Sequence, residues 1–390
     1  MKLAVIFSVS VVISLFFIPL VSHSQSEFEQ FNLEQAQALE KFNRQDSLAY
    51  ANYIADIEKK WREFRQSNQQ TWVTYGKDGD TRADVDFKEG VIEVEAIVPK
   101  ADPEALKDAK LKIGEHIAEL LKMPSQGSDL LPTVEQFFSP TPEQAPSPTS
   151  RDLALEGMLE TNQHEAVSPS NADQFSRDVS EQAQISGEPI TGADGVERVK
   201  ITVQVKMVPD HLRRRAEQYL PIVREQCRHF ELDVPLIMAV IHTESFFNPK
   251  AKSSAPAYGL MQLVPHSGGR EAYKFARGQD VNPSVRFLYD PRNNIELGTA
   301  YLKKLQSNEF KGISNPQSAT YCMISAYNTG PSNVARGLTK GTNVGKVADL
   351  ANGISPEELY KKLRKKLPYK ETRDYLEKVT SRTELYLEWR

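Results

Sequence analysis

Asp233-Val234-Pro235-Leu236-Ile237-Met238-Ala239-Val240-Ile241-His242-Thr243-Glu244-Ser245 decides how this chain is read. Asp233 suits an N-cap and Pro235 the first turn, so a helix begins here. Along it Val234, Ile237, Met238, Ile241 and Glu244 recur three or four residues apart, on one helical face. The stripe that should meet a core therefore carries a carboxylate. Desolvation disfavours a carboxyl's charged form and raises its pKa, the property a general acid needs near neutral pH. The pattern alone leaves a second reading open, a salt-bridged or helix-terminal glutamate, because Asn248-Pro249 ends the helix just beyond it.

Working outward, Glu244-Ser245-x-x-Asn248-Pro249 is followed by Ser253, by Gly259-Leu260-Met261-Gln262, by Ala326-Tyr327-Asn328 and by Glu371-Thr372-Arg373-x-Tyr375. Any one piece is weak, but the order and spacing of all of them resemble the lytic transglycosylases of the lysozyme-like superfamily. Asn294-Ile295-Glu296-Leu297-Gly298-Thr299-Ala300-Tyr301-Leu302 extends the likeness to the membrane-bound lytic murein transglycosylase C type. The resemblance implies an α+β protein. A mainly helical, lysozyme-like catalytic domain would occupy about residues 209–390, preceded by a smaller α+β domain within residues 25–208.

The resemblance also implies a chemistry. In this family a single glutamate protonates the glycosidic oxygen between N-acetylmuramic acid and N-acetylglucosamine in peptidoglycan. It then acts as base on the muramic acid C6 hydroxyl, which closes onto C1 as a 1,6-anhydro sugar without consuming water, with help from the substrate's own N-acetyl group. By position Glu244 carries both roles. Tyr327 closes a helix expected over 316–328 and matches the tyrosine that orients the acid or the acetamido group. Ser253 matches a serine that orients the carboxylate, although Ser254 beside it leaves that assignment open by one residue.

The other matched residues fit contact with a sugar. Gln262 and Asn328 bring amide donors and acceptors suited to acetamido and hydroxyl groups. Met261 offers a polarizable apolar surface, and Gly259 removes a side chain where backbone must approach closely. Tyr258 beside it stands where the family often has a small residue. Glu371 and Tyr375 share a helix face at i, i+4 and match a pair that lines the family's cleft.

Two rivals remain. A lysozyme-type hydrolase on the same fold would need a second carboxylate to hold water, and Asp280 and Asp290 are candidates. A non-catalytic peptidoglycan-binding scaffold would have no use for Glu244. Neither a cofactor nor a metal is expected: His242 and Glu244 are two apart, on different sides of a helix, and no His-x-x-x-His or paired-cysteine spacing occurs.

Composition points to the cell envelope. Lys2 precedes an apolar run from Leu3 to Val21, with Ser22 and Ser24 suited to cleavage after Ser24, so residues 1–24 read as a signal peptide and the protein as exported, to the periplasm or outer membrane. An uncleaved leader acting as membrane anchor is the competing reading. The only cysteines are Cys227 and Cys322, so the lipidated cysteine that usually follows the leader in the resembled family is absent; a disulfide and two buried thiols both fit them. Residues 207–390 hold 28 Lys and Arg against 19 Asp and Glu, whereas residues 1–206 hold 20 against 33. A basic half suits peptidoglycan glycan strands bearing peptide carboxylates, and no motif supports a nucleic-acid partner.

In the acidic half, Tyr50, Tyr53, Ile54, Ile57, Trp61 and Phe64 predict an amphipathic helix between Asp46 and Arg65. Residues 83–87 and 91–96 alternate about Lys88-Glu89-Gly90 as a hairpin, and 199–207 reads as a further strand. Residues near 124–195 are polar and proline-rich, which predicts loop or flexible chain. Trp72-Val73-x-Tyr75 and the hairpin resemble the N-terminal domain of the same transglycosylase type. Such a module would position the catalytic domain, bind a cell-wall or membrane partner, or serve as a plain structural module.

Overall fold

Alternating burial along three consecutive segments builds the N-terminal sheet. Strands β1 (Thr71–Tyr75), β2 (Thr81–Asp86) and β3 (Val91–Val98) form an antiparallel meander, and β6 (Glu197–Lys206) returns to pair with β3. Short strands β4 (Gln184–Ile185) and β5 (Ile190–Thr191) complete it along β6, in the order β1-β2-β3-β6-β4. The computed structural model describes residues 50–99, 102–125, 153–253 and 257–390. The leader and residues 126–152 of the polar stretch lie outside them. Ile54–Arg390 forms one compact unit with two hydrophobic cores, one gathered between Trp72 and Met207 and the other between Ala216 and Trp389.

One face of the sheet carries Ala83, Val85, Ile92, Val94, Ile201 and Val203 into the first core. The helix Pro103–Leu121 lies on that face, begun by Asp102, whose side chain accepts from the Ala105 amide. Residues 153–195 depart from the expectation of a flexible stretch. They contain β4, β5 and the helix Ala172–Ser180, which packs on Pro103–Leu121 and sends Phe175 and Val179 into the core with Leu155, Met158 and Leu159. Ala172, Phe175 and Val179 recur at helical spacing, but over only nine residues and between polar neighbours, so the period is short. The expected helix over 46–65 is helical across 50–60 among the described residues. It ends at Trp61, whose indole N–H donates to the Gly79 carbonyl and whose ring lies beneath Arg82.

The opposite sheet face is charged. Asp84, Glu93 and Glu95 converge within 4.8 Å of one another, and Arg65, Arg82 and Lys200 are interleaved with them. Burial alone would raise the Glu95 carboxyl, but Arg82 and Lys200 hold it below its ordinary range.

In the second core the helix Val234–Ser245 is buried nearly all round, not only along one stripe. Its neighbours explain this: it packs against the helices His211–Phe230 and Lys370–Glu384 and the C-terminal turn Leu387–Trp389. Asp233 takes the N-cap position, yet its carboxylate pairs with Arg390 and does not cap. Pro291–Lys304 and Pro316–Thr329 complete the surroundings of the site, each with proline in its first turn. Cys227 and Cys322 are both free thiols, buried in this core. Among the described residues no helix is long and apolar enough to cross a membrane.

Glu95→Gln is expected to lower the unfolding free energy by about 3 kcal/mol, because it leaves the buried Arg82 guanidinium undercompensated. Denaturant titration of both proteins checks this; an unchanged midpoint would mean that Asp84 takes over the pairing.

Candidate active site

Glu244 sits in the last turn of its helix, only 7 % exposed, and its Oε1 accepts a hydrogen bond from the Tyr375 hydroxyl at 2.7 Å. Burial pushes the carboxyl up to about 8; the Tyr375 bond pulls the other way, and the nearby negative charge of Glu371 adds to the rise. The group therefore retains its proton at neutral pH while buried beside a tyrosine. A carboxyl in that state can donate a proton to a bound oxygen and, once ionised, take one back. Glu371 itself lies on the exposed side of the helix Lys370–Glu384, one turn before Tyr375.

The loop 257–263 is fastened to the glutamate helix. The Ser245 hydroxyl lies 2.8 Å from the Leu260 carbonyl oxygen and 3.1 Å from that of Ile241. From the other side Asn294, fully buried, receives the Met261 amide on Oδ1 at 2.7 Å, and its Nδ2 donates to the carbonyls of Tyr258 and Leu288. One asparagine thus ties the loop 257–263 and the Leu288 carbonyl to the helix Pro291–Lys304. Gly259 has φ +74°, and a Cβ there would meet the Leu288 carbonyl oxygen at 2.4 Å and Asn294 Nδ2 at 2.5 Å. Glycine is required by conformation and by this close approach alike.

Tyr327 and Met261 come together differently from the sequence expectation. The Tyr327 hydroxyl donates to the Met261 carbonyl at 2.7 Å and not to a carboxylate, while Glu244 is near enough that its charge, after burial, helps to raise the phenol well above its ordinary value. The Met261 side chain is wholly buried and packs against Gly298, so it serves the core and offers no surface to a sugar ring. Gln262 is 8 % exposed, with φ 48°. Its Nε2 donates to the carbonyls of Ala251 and Gly259, which fixes the amide's orientation, and its Oε1 is buried without a partner among the described residues. Asn328 Oδ1 accepts from the Thr372 hydroxyl, joining the Ala326-Tyr327-Asn328 segment to the helix that carries Glu371 and Tyr375. The Ser253 hydroxyl accepts from the Ala257 amide at 3.3 Å, across the base of the loop. Ser254 lies outside the described residues.

The two carboxylates named for a hydrolase are engaged elsewhere. Asp280 pairs with Arg270 and Lys274 and is held down to about 2, and Asp290 caps the helix Pro291–Lys304 through the Asn293 amide. The structural use of Asn294 is not legible from the sequence motif that contains it; its position one turn after the Asp290 cap is the local signal there.

Residues 221–348 match the model of the transglycosylase SLT domain, and residues 33–125 that of the membrane-bound lytic murein transglycosylase C N-terminal domain. The membrane-bound lytic murein transglycosylase C of Sodalis glossinidius is 33 % identical over 332 residues, covering 84 % of this chain and 86 % of that protein. The chain belongs to this lytic transglycosylase family. Its counterpart in Cronobacter sakazakii is 32 % identical over 338 residues, covering 86 % of this chain and 87 % of that protein. The 70-kDa soluble lytic transglycosylase of Escherichia coli is 27 % identical over 45 % of this chain and 25 % of that one, with a TM-score of 0.35. In this lytic transglycosylase the SLT-domain match thus follows the N-terminal-domain match along the chain.

The raised Glu244 carboxyl links stability to pH. Its proton affinity is higher in the folded chain, about 8, than its ordinary 4.5, so the stability tied to the protonated form is complete below the ordinary value and is lost as pH rises through about 8. Glu244→Gln has no such loss. Its melting temperature is expected to rise relative to wild type between about pH 5 and about pH 8, and a difference independent of pH would show that Glu244 is not desolvated. Gly259→Ala is expected to destabilise by about 2 kcal/mol through the left-handed backbone and the contact with Leu288, measurable by chemical denaturation.

Proposed function

We propose that this lytic transglycosylase cleaves the β-1,4 bond between N-acetylmuramic acid and N-acetylglucosamine of peptidoglycan, with Glu244 as acid and then base and a 1,6-anhydromuramic acid end as product. The observation that carries the reading is the buried, proton-retaining carboxyl of Glu244 held by Tyr375. The relatives, named membrane-bound lytic murein transglycosylases, support murein as the polymer and a place at the cell envelope.

The steps balance around one proton. Glu244 gives its proton to the glycosidic oxygen, the C1–O bond breaks, and the N-acetylglucosamine hydroxyl leaves. The Glu244 carboxylate then takes the proton of the muramic acid C6 hydroxyl as that oxygen bonds C1, which closes the anhydro ring and restores the acid. Low dielectric around the carboxyl favours both transfers, since the neutral form is the resting one and the anion is a strong base. Tyr375 steadies the carboxyl throughout. Gln262 Oε1, buried and held in place by two bonds from its own Nε2, is suited to accept the amide N–H of an acetamido group. Ser253, Gly259, Met261, Tyr327 and Asn328 serve the site by shaping the loop and helix ends around it. Glu371 raises Glu244 electrostatically and is exposed, which supports reading it as a substrate contact.

Mass analysis of fragments released from purified peptidoglycan tests the assignment. Wild type is expected to yield ends one water lighter than hydrolysed muropeptides, and Glu244→Gln to yield none; comparable release by that variant would sink it. Glu371→Gln is expected to weaken turnover by about tenfold while still forming anhydro ends. Loss of all activity together with reducing ends in the wild-type digest would instead make Glu371 the water-holding base of a hydrolase.

A further inference from the structure

The glutamate helix ends in a turn of unusual backbone. Phe246, two residues after Glu244, has φ 51° and ψ 35°, and Phe247 follows at φ 59°. Two successive non-glycine residues in the left-handed region are strained and persist only where their surroundings hold them. Phe247 is fully buried beside His242 and Tyr386 in the catalytic core. Phe246 goes the other way: although it belongs to the catalytic segment, its ring packs against the N-terminal core, the one that contains Trp72 and Met207. The Arg382 guanidinium covers that ring at 4.9 Å, and the same arginine donates to the His242 carbonyl at 3.1 Å. His242 also receives the Phe246 amide and sets its own ring edge-to-face with Phe246 at 5.4 Å. Phe246 is therefore a wedge between Arg382, the last turn of the glutamate helix and the N-terminal sheet.

The chain after the wedge continues along the same seam. Asn248 Nδ2 donates to the Gln69 carbonyl and the Lys252 amide to the Asn68 carbonyl, each at 3.5 Å, and the Lys250 ammonium lies 5.8 Å from the Trp72 ring centre. Arg382 stands two turns after Tyr375 on one helix, so the residue that clamps Phe246 and the residue that bonds Glu244 share a rigid support.

We infer that Phe246 is a positioning residue, through which the N-terminal domain holds Glu244 at the place where its carboxyl is buried against Tyr375. The inference rests on the reading of Glu244 as general acid. On it the N-terminal domain is part of the working site, because the strained turn that ends the glutamate helix is closed by side chains of both halves. Removal of the wedge lets the turn relax and water reach the carboxyl. The charged and titratable groups facing Glu244 are Tyr375 and Glu371 from the C-terminal helix and Tyr327 from Pro316–Thr329, and Arg382 acts on Tyr375; substitution at Phe246 leaves the first three in place and removes the ring that Arg382 covers.

Phe246→Gly and Phe246→Asn separate the ring from the backbone, since both residues accept a left-handed conformation and neither keeps the wedge. In the full chain, on a soluble muropeptide oligomer, kcat is expected to fall about ten- to hundredfold with KM within about twofold. The alkaline limb of the kcat profile, where the acid loses its proton, is expected to move to lower pH, and Phe246→Tyr to restore both. A folded Gly or Asn variant with wild-type kcat and alkaline limb overturns the inference, and so does a rise in KM with kcat unchanged, which would make Phe246 a substrate contact. Glu244→Gln, assayed alongside, keeps the two readings apart. If it is inactive while Phe246→Gly is normal, only the positioning role fails; if it is active, the general-acid reading fails first.

Discussion

Removing one carboxyl from water is the constraint around which the catalytic half is organised. Glu244 extends a helix whose other faces are already filled by apolar side chains, so its environment is set by neighbours that cannot solvate charge. In such surroundings the neutral acid is the stable form, and a single hydrogen bond from Tyr375 is enough to orient it without ionising it. A surface carboxylate paired with an arginine would be a stronger anion and a poorer proton donor. A partly buried charged cluster lies elsewhere, on the outer face of the N-terminal sheet, where Arg65, Arg82 and Lys200 stand among Asp84, Glu93 and Glu95.

The polar machinery beside Glu244 is held by backbone, and that is why so few side chains can place it. Asn294 ties Met261, Tyr258 and Leu288 together, Ser245 ties Leu260 to the glutamate helix, and Tyr327 ties Met261 to the helix opposite. Gln262 is left with its donors spent on two carbonyls and its acceptor buried and unmet among the described residues. Burying an acceptor without a partner costs stability.

Strain is concentrated in the same place. Gly259, Gln262, Phe246 and Phe247 all have positive φ within twenty residues of Glu244, and only one of them is glycine. The packing that holds them comes from both cores. This turns the N-terminal sheet from a neighbour of the catalytic half into a support for it, through Phe246, Gln69 and Trp72.

Much of this was legible in the sequence because it is local. The meander strands follow from alternation about Lys88-Glu89-Gly90, the helix Pro316–Thr329 from its proline start, and the motif order from 244 to 375 identifies the family. Glu244 stood out because a carboxylate in an apolar stripe is a local anomaly. What sequence could not decide were relations between residues far apart in the chain. That Tyr375 and not Tyr327 reaches the carboxyl, that Met261 faces Gly298, and that residues 153–195 fold onto the sheet depend on which helices meet and at what angle. Periodicity determines the face a side chain occupies, because that is a property of the backbone repeat; its partner is determined by packing, which only the tertiary fold supplies.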